Sequence, residues 1–359
     1  MPGSWSKPRW SSCAPMANWL DSLQTGCRFT RAKKGTNMGE KMRWGILSTA
    51  NIGRRVIPAI HASRNGEAAA VGSRSLASAQ AFAAEQNIPR AHGSYADLLA
   101  DPDIDAIYIP LPNSLHAEWS IQCAQAGIPT LCEKPFASDA AEAQSILDAF
   151  AKRDVLLAEA FMYRFHPQHE KVKQIIADGG IGEMQFISSA FTFLISDAAN
   201  IRLSKPLAGG ALMDVGCYCV NLMRFMTGEE PSQATASQSI GAESGVDEAL
   251  AGALHFPGGT IGNFHCGLRA YREHSYTIKG TAGMIRVPTS FVPDKRAETI
   301  VQHWRGDDYS EHRVPPVDHY QLMVEDFADA LLGGRAPRFS AQDAVANMRV
   351  IDKLLGRGG

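Results

Sequence analysis

The sequence predicts an α/β chain in two parts: an N-terminal doubly wound parallel sheet, then a C-terminal α+β domain on an open, mainly antiparallel sheet. Three observations predict it. Short apolar runs alternate with helical patterns from residue 43 to residue 159. Past Glu159 the alternation stops, and strand-like runs follow one another across turns such as Pro257-Gly258-Gly259. Finally, 359 residues with 45% hydrophobic content are enough for two cores.

In chain order, apolar runs at 44–48, 68–72, 106–109, 130–132 and 155–158 read as buried strands. Helical patterns at 53–61, 77–86, 115–126 and 139–153 fill the gaps between them. The second part opens with a long strand at 184–194, a loop and a helix at 210–227. Strands at 233–240, 249–256, 260–266, 275–279, 284–287 and 299–303 follow, and amphipathic helices at 319–332 and 341–355 close the chain. One face of this second sheet has helices to pack against. The other is bare in a single copy, which points to a homodimer or higher homo-oligomer joined through that face.

The first strand feeds Ser48-Thr49-Ala50-Asn51-Ile52-Gly53 and then a helix. A dinucleotide fingerprint of the Rossmann type would place glycines at 48, 50 and 53, for a tight turn, close pyrophosphate approach and helix packing. Only Gly53 is a glycine, but Ser48 and Ala50 are small, and the helix start still favours an anion. Near the end of the second strand a dinucleotide site declares its cofactor. Here it offers Ser73-Arg74-Ser75 in place of an acid, which suits a 2′-phosphate and hence NADP. After the third apolar run, Leu111, Asn113 and His116 lie on a loop expected over the ribose-nicotinamide half of the cofactor. For Asn113 and His116 the other reading is a helix cap and a first-turn residue.

Glu133-Lys134-Pro135 follows directly on the strand at 130–132, which puts Lys134 at the carboxyl edge of the sheet beside that crevice. In the helix at 210–227, Asp214 and Tyr218 stand four apart, on one face. A tyrosine near pKa 10 is a poor proton acceptor at neutral pH, and an ammonium such as Lys134 would lower that value, with Asp214 orienting the lysine.

These segments, with Gly209-Gly210-Ala211-Leu212-Met213-Asp214-Val215-Gly216-Cys217-Tyr218, resemble the glucose–fructose oxidoreductase / inositol dehydrogenase (Gfo/Idh/MocA) family over residues 42–355. The resemblance implies a catalytic Lys134 with Asp214 beside it. Tyr218, where histidine is common, resembles the sugar-oxidising and dihydrodiol-oxidising branches. Glu159-Ala160-Phe161-Met162-Tyr163-Arg164-Phe165-His166-Pro167 is similar to the NADP-dependent D-xylose dehydrogenases. The implied reaction is hydride transfer from the C1 hydroxyl carbon of an aldose to NADP, giving a lactone. Cofactor contacts are expected on Ser48 to Gly53, Ser73, Arg74, Leu111, Asn113, His116, Glu133 and Lys134, and sugar contacts on Arg164, His166 and Arg202, the other reading of these three being ordinary loop or salt-bridge residues. The alternatives are a trans-dihydrodiol dehydrogenase, a sugar–sugar transhydrogenase that keeps its NADP, and, from another class, a non-catalytic NADP-binding regulator. Lys134, Asp214 and Tyr218 together argue against the last.

The same reading divides the chain into an extension at 1–41, expected to be poorly ordered, a dinucleotide-binding domain at 42–159 and a substrate and dimerisation domain at 160–359 whose last helices pack back toward the first. The bulk properties exclude other classes. A formal net charge of −2 gives no basis for nucleic acid or an anionic membrane. No apolar run nears the roughly 20 residues needed to span a bilayer. Seven cysteines, at 13, 27, 123, 132, 217, 219 and 266, are odd in number and scattered, as in a reduced, cytoplasmic protein. No His/Cys/Asp cluster has the spacing of a metal site.

Overall fold

A computed structural model describes residues 41–357. The expectation of a poorly ordered extension therefore falls, but for Lys41, outside the described residues, as do Cys13 and Cys27.

The first sheet comprises β1 (Met42–Leu47), β2 (Gly66–Gly72), β3 (Arg90–His92), β4 (Ala106–Ile109), β5 (Thr130–Cys132) and β6 (Leu157–Glu159). Between them run α1 (Gly53–Ala62), α2 (Leu76–Gln86), α3 (Tyr95–Ala100), α4 (His116–Ala126) and α5 (Ala140–Arg153). The strand order is β3-β2-β1-β4-β5-β6 and every pairing is parallel. The order reverses between β1 and β4, so a crevice opens outside their carboxyl ends. Both faces of the sheet are covered, which is why β1 and β4 are apolar almost throughout.

The second part begins with α6 (Pro167–Ala177), β7 (Met184–Leu194) and α7 (Cys217–Thr227). Then come β8 (Gln233–Ile240), β9 (Asp247–His255), β10 (Ile261–Gly267), β11 (Arg269–Gly280), β12 (Gly283–Val287), β13 (Thr299–Arg305) and β14 (Asp308–Val314). These eight strands form one sheet, ordered β14-β13-β12-β11-β7-β10-β9-β8. All its pairings are antiparallel except β7 with β10.

Two final helices, α8 (His319–Gly333) and α9 (Ala341–Leu354), return to the first sheet. Phe327 of α8 packs against Trp44 of β1, the rings tilted by 38° with centroids 5.2 Å apart. Asn65 donates to Glu325 O at 3.0 Å and to Asp329 Oδ1 at 2.8 Å. Ala140 N, opening α5, donates to Asp352 Oδ2 of α9 at 2.8 Å.

Four elements, β3, α3, α6 and β14, are absent from the sequence reading, and a fifth differs at its start. β3 and α3 escape it because each is a single short run, three and six residues long, on a half-covered edge. β14 escapes because Asp-Tyr-Ser-Glu-His-Arg-Val is polar on both faces, as an edge strand can be. The helix expected from 210 is not regular at its start: Leu212–Gly216 is a π-helical turn, and α7 proper begins at Cys217.

Candidate active site

The dinucleotide turn follows β1. Ser48 has φ 135°, a backbone conformation that glycine adopts freely and other residues rarely do. Its Oγ accepts from Ala50 N at 3.2 Å and donates to Pro110 O at 3.4 Å, which ties the turn to the end of β4. No side chain caps α1; Gly53, Arg54 and Arg55 N donate back to Ala50 O, Asn51 O and Ile52 O at 2.9, 3.1 and 2.9 Å, and the positive end of the helix dipole lies at the turn. At Gly53 an added Cβ would stand 3.2 Å from Phe82 Cζ, so the helix packs closely on α2 there. Small residues, a glycine-type φ and an uncapped helix start fit a pyrophosphate. Ser73 and Arg74 stand just past the end of β2; Ser73 N donates to His92 O at 3.1 Å, and Arg74 is exposed.

Lys134 leaves the end of β5 beside this turn. Glu133 before it is buried and accepts a 2.6 Å bond from Tyr108 Oη. Lys134 Nζ donates to Asp214 O at 2.8 Å and to Asp214 Oδ1 at 3.1 Å. Arg202 Nε donates to the other carboxylate oxygen, Oδ2, at 2.7 Å. Burial opposes the charged form of both Lys134 and Asp214. For the lysine the Asp214 carboxylate outweighs it and holds the pKa above its ordinary value. For the aspartate the two cations outweigh it and hold the pKa low. An ammonium has three protons and Asp214 takes two, so one remains for a ligand.

Asp214 is presented by the π turn, a device that recurs at functional sites. The turn is held from below: Leu212 N donates to Asp247 Oδ2 at 2.7 Å, and Gly210 at φ 122° passes so close that a Cβ would lie 2.1 Å from Asp247 Oδ1.

Tyr218 is where the structure corrects the sequence reading. Its hydroxyl donates to Met162 Sδ at 3.4 Å, while Lys134 Nζ lies over the ring face, 5.1 Å from its centroid. Burial pushes the phenol well above its ordinary pKa, with nearby acidic groups adding to the effect. Lys134 does not lower it; Tyr218 is a protonated phenol at neutral pH.

A cavity of about 510 Å³ joins these groups. Ala50, Asn51, Ile52, Leu111, Asn113, Glu133 and Lys134 line it from one side, Arg202, Asp214 and Tyr218 from the other. Asn113 also donates to Ala208 O at 2.8 Å, clasping the loop between β7 and α7.

Three expected contacts are corrected. His116 is fully buried, its ring nitrogens 2.8 and 2.9 Å from Leu111 O and Pro135 O. Burial lowers its pKa to about 4 although both carbonyls favour the charged ring. It pins the two loops to each other and has no nitrogen left for cofactor. Arg164 points away from the cavity, 2.5 Å from Asp343 Oδ2 and stacked 3.8 Å from the Phe339 ring centroid. His166 is buried and caps α6 through Gln168 N. Residues that sequence reasoning missed include Phe191 and Phe193 on β7, and Arg55, Arg272, Val292 and Tyr320. Met162 also lines the cavity; it was quoted in the motif but given no role.

The profile of the oxidoreductase family with an NAD-binding Rossmann fold matches residues 42–161, and that of the GFO/IDH/MocA C-terminal domain matches 169–286. The chain belongs to the GFO/IDH/MocA oxidoreductase family. Within it, the chain is 38% identical over 315 residues to D-xylose 1-dehydrogenase (NADP(+)) 2 of Haloferax volcanii, covering 87% of this chain and 96% of the relative. It is 35% identical over 250 residues to trans-1,2-dihydrobenzene-1,2-diol dehydrogenase of Xenopus tropicalis, covering 69% and 75%. Among solved structures, a 3-ketoreductase from Actinomadura kijaniata, in complex with NADP and TDP-benzene, superposes with a TM-score of 0.84 at 28% identity, over 88% of this chain and 98% of that one. The GFO/IDH/MocA assignment accounts for both sheets and makes the chain an oxidoreductase. Among the described residues no helix is long and apolar enough to cross a membrane, and no group of three or more His, Cys, Asp or Glu could hold a metal.

Proposed function

We propose that the protein is an NADP-dependent sugar dehydrogenase, oxidising the C1 hydroxyl of a D-xylose-like aldose to a lactone. The observation that carries this is Lys134: an ammonium held by Asp214, with one proton free, in the cavity that also contains the dinucleotide turn. Ser48 to Gly53 would cradle the pyrophosphate, Ser73 and Arg74 the 2′-phosphate, and Leu111 and Asn113 the nicotinamide end. When bound, NADP supplies the carbon that accepts hydride.

The chain's own groups handle the proton and the oxygen. Lys134 donates a hydrogen bond to the reacting oxygen and stabilises negative charge there. For oxidation Tyr218 first loses its own proton to solvent and its phenolate then takes the hydroxyl proton; in the reverse direction the phenol gives that proton back. Arg202 holds Asp214 from the solvent side and reaches the sugar hydroxyls. The family relative that oxidises D-xylose with NADP supports this substrate class. Phe191, Phe193 and Met162 favour one second reading, a trans-dihydrodiol substrate stacked on an apolar wall.

Residues 42–159 would act as the cofactor domain and 160–359 as the substrate domain of a cytoplasmic homodimer. Phe186 of β7 and Ile261 of β10, paired in register and 47% and 40% exposed, support assembly through the open face.

The test is reduced-nicotinamide absorbance with NADP⁺ or NAD⁺ and a panel of D-xylose, D-glucose and a trans-dihydrodiol. Growth with NADP⁺ and a sugar is expected; growth with the diol alone would replace the sugar reading, and cofactor that copurifies and never exchanges would favour sugar–sugar transhydrogenation. Lys134→Met is expected to lower kcat by roughly 10²–10³-fold with NADP affinity retained. Near-normal turnover would remove Lys134 from the chemistry.

A further inference from the structure

The catalytic cavity continues into a second cleft of about 440 Å³, and the two share Arg55, Arg272, Val292 and Tyr320 as walls. This cleft lies between the cleft-facing side of α1, the loop after β12 and the start of α8. Five cationic side chains line it against two carboxylates, Asp294 and Asp318.

The pairing within it is uneven. Lys295 is taken by Asp318 at 2.9 Å and Arg296 by Asp294 at 3.2 Å, while Arg54 turns aside to Glu85 on α2. Arg55 and Arg272 have no carboxylate within ion-pair distance among the described residues. They are also the two cations at the junction with the catalytic cavity.

A second observation comes from the cleft wall. His319 is only 2% exposed, yet neither of its ring nitrogens has a hydrogen-bond partner. A buried polar group left unpaired is costly, and at the wall of a cationic cleft a group of a bound ligand is a fitting partner for it.

The cofactor does not need this space. A dinucleotide running from Ser73 and Arg74 to Lys134 would meet Ala50, Asn51 and Ile52 on the way, and neither these three nor Lys134 lines the second cleft. Neither Ser73 nor Arg74 lines the cleft.

We propose that the sugar carries a phosphate at the end opposite the oxidised carbon, and that this group sits in the second cleft between Arg55 and Arg272, within reach of His319. This inference rests on the sugar dehydrogenase reading and narrows its substrate to a terminally phosphorylated aldose. Two guanidiniums can each present paired donors to phosphate oxygens, and no carboxylate competes for them at the junction.

The test uses protein saturated with NADPH, in which an aldose binds without being oxidised. Calorimetric titration with D-xylose 5-phosphate is expected to give a Kd at least tenfold below that for D-xylose. The advantage should shrink with added salt. Arg272→Glu is expected to bring the ratio of the two affinities to about one, and Arg272→Lys to restore part of it. Equal affinities in the unaltered protein would overturn the proposal. So would inorganic phosphate that competes with NADPH and not with D-xylose, since the cleft would then belong to the cofactor. A preference confined to nucleotide-linked xylose would overturn it as well. Turnover of D-xylose with NADP⁺ reads the parent function separately. If it persists without any phosphate preference, only this inference falls.

Discussion

In the proposed reaction, Tyr218 and Lys134 divide the acid–base work differently from what their sequence positions suggest. Burial keeps the phenol protonated, and the ammonium lies over its ring, not beside its oxygen. A protonated phenol is a ready proton donor and a reluctant acceptor. Oxidation of the aldose is therefore expected to accelerate from pH 7 through pH 9 with no plateau near neutrality, while the reverse reduction stays flat over that range. A plateau below pH 8 in kcat/KM for oxidation would show that bound ligands had lowered the tyrosine after all. Ser48 carries a second prediction at this scale. Its φ of 135° suits glycine, and its two side-chain bonds offset part of the strain. Ser48→Val adds a β-branched side chain where φ is positive and is expected to cost roughly 1–3 kcal/mol, read as a lower denaturation midpoint. Ser48→Gly is expected to hold within about 1 kcal/mol of the parent, lost bonds against relieved strain.

Among the elements, the π turn at Leu212–Gly216 leaves little room for change. An added Cβ at Gly216 would lie 2.7 Å from both Cys266 Sγ and Leu212 Cδ1. Gly216→Ala must push the start of α7 off β10 and is expected to cost about 1–3 kcal/mol. Because Asp214 and Tyr218 flank this glycine, kcat should fall more than NADP affinity. Such a turn is hard to read in a sequence, because Asp-Val-Gly-Cys-Tyr continues a good helical pattern and only the contact with Asp247, 33 residues after Asp214, reveals the widening. The strands were far more legible. β4, β5 and β7 run over the residues their apolar runs mark, since burial writes itself directly into the chain. The misplaced sugar contacts have a related cause. Arg164 and His166 sit in a motif next to the cavity, but the short 3₁₀ turn Met162–Phe165 sends Met162 inward and Arg164 back onto Asp343 and Phe339. Adjacency in sequence carries no information about which way such a turn faces. Tyr320 and Arg272 reach the cavity from elements more than fifty residues past Tyr218, and only the tertiary structure brings them there.

Across the whole molecule, buried imidazoles set the response to acid. Burial lowers His116, His166 and His274 to about 4 and His169 and His319 to about 3. Each is neutral when folded and charges on unfolding below about pH 6.5, so the stabilisation is complete above that pH and is lost as pH falls toward the folded values. Each such ring contributes a slope of roughly 1.4 kcal/mol per pH unit over that window. Glu159, raised by burial to about 8, and Asp247, raised to about 6, oppose this, because they are the better proton holders in the folded state. The imidazoles outnumber them, so Tm is expected to fall steeply between pH 6.5 and 4.5. A Tm independent of pH there would show that these rings reach solvent.

α8 also has a consequence for how the chain is made. It supplies Phe327 against Trp44 and the acceptors for Asn65, so the nucleotide-binding sheet is finished by residues that leave the ribosome well after its last strand. At roughly 5–20 residues per second, β1 to β6 wait about ten to thirty-five seconds for the helix that covers them. During that interval one apolar flank of the nascent sheet lacks the part of its own polypeptide that covers it.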